Sequence, residues 1–134
     1  MKQFVLWLVL VFVIFGAVYG TYHVYLTQHP RKIIVAIDSS YSMQTVWSKI
    51  SDVLNILNQK PYAQFCLITD KTKIHSWQSK LTIDRIMPYA PRNLANVNSE
   101  KYPEMNEATQ KYLLTNATKN ELTSFSHWQI ISLK

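Results

Sequence analysis

The chain has 134 residues and 15.7 kDa, room for one soluble domain at most. Lys and Arg number 14 against 8 Asp and Glu, a formal net charge of +6, and 48% hydrophobic residues against 16% charged exclude a chain disordered throughout. Two glycines exclude collagen-like repeats and a Gly-rich phosphate loop, and the single cysteine, Cys66, excludes an intrachain disulfide framework and a zinc site built on cysteines.

From Phe4 to Gly20 no residue is charged or strongly polar, and TYHVYL extends the run to Leu26. As a helix, about 20 residues cover roughly 30 Å, the thickness of a bilayer's hydrocarbon core. Residues 1–26 therefore read as a single-pass transmembrane signal-anchor helix, with Tyr19, Tyr22 and Tyr25 suited to the interfacial aromatic belt. A helix apolar on every face has no place in a soluble domain this small. The rival is a cleaved signal peptide with Lys2 as its basic end and Val18-Tyr19-Gly20 as cleavage site, although the apolar run exceeds the usual length. The short tail before it puts the N-terminus inside and the rest of the chain outside the cytoplasm.

Residues 27–134 form the second part and carry +5 once Lys2 is set aside. Their basic residues are scattered, without the clustered stripe that nucleic-acid binding requires, so no nucleic-acid partner is expected. Ile33 to Ile37 is a continuous, mostly β-branched apolar run, the signature of a strand buried on both faces of a parallel sheet. A polar turn follows, from Asp38 to Gln44. Val46, Trp47, Ile50, Val53, Leu54 and Leu57 then mark one face of a helix over about 45–59, ended by Pro61. Residues 63–69 (AQFCLIT) read as a second strand, Asp70-Lys71 as a turn, and residues 72–77 (TKIHSW) as a hairpin-linked third strand.

A short helix is expected over residues 82–86, then a loop over 88–103 with three prolines. Pro103 at a first helical position, with Glu104 and Glu107 after it, predicts a helix to about Asn116 that buries Met105, Ala108, Tyr112 and Leu113. Residues 128–133 (WQIISL) read as the last strand. The order β-α-β-β-α-α-β implies an α/β fold, a mainly parallel sheet with flanking helices. Ligands of such sheets bind beyond the carboxyl ends of the strands, where the strand order reverses. If the second and fourth strands flank the first, the turn after the first strand lies there.

That turn carries the chemistry. Asp38, Ser40 and Ser42 alternate, so in extended chain their side chains point to one side. A carboxylate and two hydroxyls form a hard oxygen set suited to Mg²⁺, Mn²⁺ or Ca²⁺. One carboxylate leaves a divalent ion net positive, able to recruit an anionic group from a partner. The alternative is a polar turn that caps the following helix without metal.

The segment IIVAIDSSYSM resembles the first strand and D-x-S-x-S signature of the von Willebrand factor A (vWA) domain family. The resemblance covers the chain from about Lys32 onward. It implies a vWA/Rossmann-like fold and a metal-ion-dependent adhesion site (MIDAS), with Asp38, Ser40 and Ser42 holding a Mg²⁺ that an acidic group of a protein partner completes. Two features depart from the family. Its metal-site threonine has no counterpart around Pro91 to Pro103, where Asn93, Asn96, Asn98 and Ser99 are the polar residues. Its aspartate after the fourth strand has none either, since the fourth expected strand, 128–133, is followed only by Lys134. The fold would be C-terminally shortened, with its last strand an exposed edge and a template for an oligomer or another protein.

Other signals are weaker. His23, His29, His75 and His127 lack metal-binding spacing, Cys66 reads as a buried small residue, and Asp70 as a turn residue. Trp47, Trp77 and Trp128 read as core. Asn116-Ala117-Thr118 is a glycosylation acceptor only in a lumenal eukaryotic context. No nucleophile elbow or phosphate loop appears, so no enzyme is expected. The expectation is a membrane-anchored vWA-like module that binds a protein partner, with a metal-free membrane scaffold or assembly subunit on a degenerate version of the fold as the alternative.

Overall fold

The structure is a computed structural model and describes residues 1–83 and 86–134. It divides into two units, Met1–Pro30 and Arg31–Lys134. An uninterrupted apolar run can satisfy its backbone without water only by bonding to itself. The first unit does so as helix α1, Lys2–Gln28, 27 residues and about 40 Å long. It is long and apolar enough to span a membrane, and none of its residues is buried. Its mild polarity is satisfied internally: the hydroxyls of Thr21 and Thr27 donate to the carbonyls of Ala17 and Val24.

The second unit is an α/β sheet of five strands. These are β1 (Arg31–Ile37), β2 (Ala63–Thr69), β3 (Lys73–Gln78), β4 (Gln110–Thr115) and β5 (Gln129–Ser132), in the order β3-β2-β1-β4-β5. β1 runs parallel to β2 and β4, β4 is parallel to β5, and β3 is the antiparallel edge. Ile33 to Ile37 are all buried, as expected of a central strand. Alternate residues feed two cores. Ile33, Val35, Ile37, Phe65, Leu67 and Leu114 meet Met43, Ile50, Leu54 and Leu57 on one face. Ile34, Ala36, Cys66, Ile68 and Leu113 meet Leu94, Tyr102, Met105, Leu122 and Phe125 on the other.

The first core is covered by a 3₁₀ segment, Tyr41–Val46, and helix α2, Ser48–Asn58. The helix expected over 45–59 therefore starts three residues later, after a tighter turn that buries Met43 and Val46. The second core is covered by three 3₁₀ segments, Leu94–Asn96, Pro103–Asn106 and Lys119–Phe125. The hairpin of β2 and β3 forms as expected. The short helix expected over 82–86 includes residues outside those described.

One element is corrected. The helix expected from Pro103 to Asn116 is a single 3₁₀ turn followed by β4. Pro103 and Glu104 do start a helical turn, but Tyr112, Leu113, Leu114 and Thr115 are all buried, and Tyr112, Leu113 and Leu114 face the two cores in turn. Burial on two sides requires an alternating strand, and sheet contacts override the helical preference of the sequence. The strand at 128–133 is thus the fifth, not the fourth, and is an edge as expected. Cys66 is buried, its thiol pushed up to about 11 chiefly by burial. Trp47, Trp77 and Trp128 lie partly buried at the margins of the two cores.

Candidate functional site at the strand ends

β1 is flanked by β2 and β4. The connection leaving β1 covers one face of the sheet and the connection entering β4 covers the other. The sequence reversal therefore lies between β1 and β4, and the crevice at their carboxyl ends is where α/β sheets place ligands. The backbone N–H of Asp38 still extends the ladder, donating to the Leu114 carbonyl at 2.9 Å. The turn then lifts the three expected residues into this crevice.

The structure brings Asp38, Ser40 and Ser42 together. The Asp38 carboxylate is fully buried and accepts from the Ser40 N–H at 3.1 Å. The Ser40 and Ser42 hydroxyls lie 2.8 Å apart, Ser40 buried and Ser42 at the exposed mouth. The Thr115 hydroxyl, at the end of β4, donates to Asp38 Oδ2 at 2.7 Å. Asn116 closes the other side, its Nδ2 donating to the Ser42 carbonyl at 2.7 Å.

The cationic centre of this set is Arg92. Its Nε donates to Asp38 Oδ2 at 2.6 Å, its Nη2 to Ser42 Oγ at 2.7 Å and to Asn116 Oδ1, and its Nη1 to Glu121 Oε1 and Oε2 at 3.1 and 3.2 Å. Burial opposes the guanidinium's charge, but Asp38 and then Glu121 outweigh it and hold Arg92 above its ordinary value. Glu121 lies below its ordinary value, held first by the backbone N–H and hydroxyl of Thr118 and then by Arg92. Thr118 and Glu121 form the capping box of the last 3₁₀ segment.

A second buried carboxylate braces the turn from β2. Asp70 accepts from the N–H and hydroxyl of Ser39 at 3.1 and 2.7 Å, from Lys71 at 2.7 Å and from the Asn93 N–H at 3.1 Å. Burial raises this carboxyl, yet these four donors prevail and leave it below its ordinary value. The loop carrying Arg92 is tied down beside it. Tyr89 N–H donates to the Ser39 carbonyl and Tyr41 N–H to the Ala90 carbonyl. Asp70 is thus a structural turn residue, as the sequence suggests.

Arg92, Thr115, Asn116 and Glu121 escape the sequence reading. The resemblance directs attention to the loop at Pro91–Pro103, but toward a hydroxyl or amide rather than the arginine beside Pro91. Of the amides there, the Asn96 side chain donates to the Asp70 carbonyl, while Asn93 reaches the Asp70 carboxylate through its backbone N–H. Thr115 and Asn116 are hidden by reading β4 as a helix, and Asn116 stands just beyond the true fourth strand. The T-x-x-E spacing of Thr118 and Glu121 is the one legible signal.

A hard divalent ion would need the oxygens of Asp38 and Ser42 that Arg92 binds, and would stand against a full positive charge. With Arg92 in this place the residues do not fit a metal in the same seat. Among the described residues no group of three or more His, Cys, Asp or Glu side chains forms an alternative metal site. Compared with known proteins, the chain matches no family model, no curated protein and no solved structure.

Proposed function

We propose that this chain is a membrane-anchored, vWA-like binding module that engages a protein partner through an acidic group, with no catalytic role. α1 is its single-pass anchor, and the α/β unit lies outside the cytoplasm. The observation that carries the reading is the convergence of Asp38, Ser42, Asn116 and Glu121 on one cationic centre at the point of strand reversal. Polar side chains gathered there from three separate segments form a built crevice, where a polar turn alone would need only one segment.

Within the module reading, the place of Arg92 favours binding without Mg²⁺; the metal-free scaffold or assembly subunit stays the alternative. Binding is tested by site-specific photo-crosslinking of the full chain in its native membranes. A photoreactive residue replaces Tyr41, exposed beside the crevice, or Ile56, exposed on α2. A discrete protein adduct at position 41 that Arg92→Ala removes while circular dichroism of that variant still shows a folded chain, without a matching adduct at 56, supports the reading. Adducts that ignore the Arg92 substitution overturn it.

A further inference from the structure

We infer that Arg92 is the resident cation of the crevice and Glu121 its built-in carboxylate, so that a carboxylate ligand binds without metal by displacing Glu121. This rests on the binding-module reading and gives the chemistry of its site.

A guanidinium offers five N–H donors in a rigid plane. All three nitrogens find oxygen here: Nε at Asp38, Nη2 at Ser42 and Asn116, and Nη1 at Glu121. The contacts are ordered from inside to outside. Asp38 is fully buried and binds at 2.6 Å, the Arg92 side chain is 18% exposed, and the Glu121 side chain is 47% exposed and binds at 3.1 and 3.2 Å. The inner carboxylate neutralises the guanidinium and fixes its plane. The outer nitrogen, Nη1, faces solvent and holds both oxygens of one carboxylate at 3.1 and 3.2 Å, a longer and more exposed charge-assisted contact than the one to Asp38.

Glu121 occupies that outer position without being committed to it. Its Oε2 also accepts from the N–H and hydroxyl of Thr118, at 2.9 and 3.1 Å. When Glu121 leaves Arg92, the capping box still satisfies it, so the exchange uncovers no buried polar group. Asp38 cannot leave in this way, because it would be stranded in the core. The site therefore has one permanent and one exchangeable carboxylate.

The test uses the full chain in detergent micelles. Mg²⁺ alone is titrated by calorimetry, and fluorescent pentaglutamate, with pentaglutamine as control, by anisotropy. Wild type is expected to show no saturable Mg²⁺ heat and to bind pentaglutamate equally with and without EDTA. Glu121→Gln keeps the capping box, because glutamine serves there equally, but removes the competing charge. It should tighten pentaglutamate about two- to fivefold, the worth of an exposed ion pair. Arg92→Gln should abolish the binding.

Saturable Mg²⁺ binding by wild type that Asp38→Ala removes overturns the inference, and needs no Arg92 variant to fold. So does pentaglutamate affinity unchanged by Glu121→Gln, or equal binding of pentaglutamine. These failures leave the crosslinking at position 41 intact. Loss of the site-dependent adduct, with the titrations as expected, instead overturns the binding-module reading.

Discussion

Asp38 is a carboxylate with no surface exposed to solvent, and such a group survives in a core only if its charge is met. Arg92 meets it, with Thr115 and the Ser40 N–H completing its bonds. Arg92→Ala should therefore destabilise the fold by about 3–5 kcal/mol, at the lower end because the guanidinium reaches solvent. Arg92→Lys should cost less, about 1–2 kcal/mol, since an ammonium can meet Asp38 but cannot fork to Ser42 and Glu121. Denaturant unfolding of both variants checks the order. Asp70 adds a pH dependence. Its folded carboxyl lies below its ordinary value, so the folded state binds fewer protons than the unfolded chain. Its contribution is complete above the unfolded value near pH 4 and is lost as pH falls through the depressed folded value. Between about pH 5 and pH 3, wild type should lose thermal stability more steeply than Asp70→Asn. At this scale the sequence was half legible. Asp38, Ser40 and Ser42 announce themselves by alternation, which is local. Arg92 lies 54 positions from Asp38, and no local pattern says that such a residue will fold back onto it.

Among the elements, β1, the β2–β3 hairpin and most of α2 follow from hydrophobic period alone. β4 does not. Its residues fit a helical period when read with Met105 and Ala108, and a strand only when both faces are known to be covered. Leu114 separates the two. It was no part of the expected helix face, yet it is fully buried between β1 and β5. Leu114→Ala should cost about 2–5 kcal/mol by the cavity it leaves. A loss below about 0.5 kcal/mol, as at an exposed position, would return the segment to a helix. The loop before Arg92 carries a different cost. Ala90 has φ of 62°, a left-handed conformation that works against its Cβ. The two hydrogen bonds to the 39–41 turn hold it there and so aim Arg92 at Asp38. Ala90→Gly should stabilise the fold by about 0.5–1 kcal/mol, the steric relief less the added entropy of glycine in the unfolded chain. Equal or lower stability in calorimetry would show that the loop is held by something other than these bonds.

For the whole molecule, the division into an apolar helix and an α/β unit was legible because it is written in composition, which needs no tertiary contact. The expected boundary after residue 26 falls within the last turn of α1, and the second unit begins at Arg31. The sheet's edges depend on topology, and there the strand count matters. β5 lies at one edge with a single parallel neighbour, and Ile130 on it is 39% exposed. An open strand with an apolar side chain at its surface is a template for a further strand. Residues 31–134, which hold both cores, should therefore self-associate in solution as concentration rises. Ile130→Lys should weaken that association by roughly tenfold, about 1.4 kcal/mol, by setting a charge on the pairing edge. The fold itself should lose less than about 0.5 kcal/mol, because the side chain already meets water. Sedimentation velocity over a concentration series reads the first effect and thermal unfolding the second. Association that persists unchanged in Ile130→Lys would place the contact away from β5. A large loss of stability would mean instead that Ile130 belongs to the second core, beside Phe125 and Trp128, and that the edge is closed by the chain's own packing.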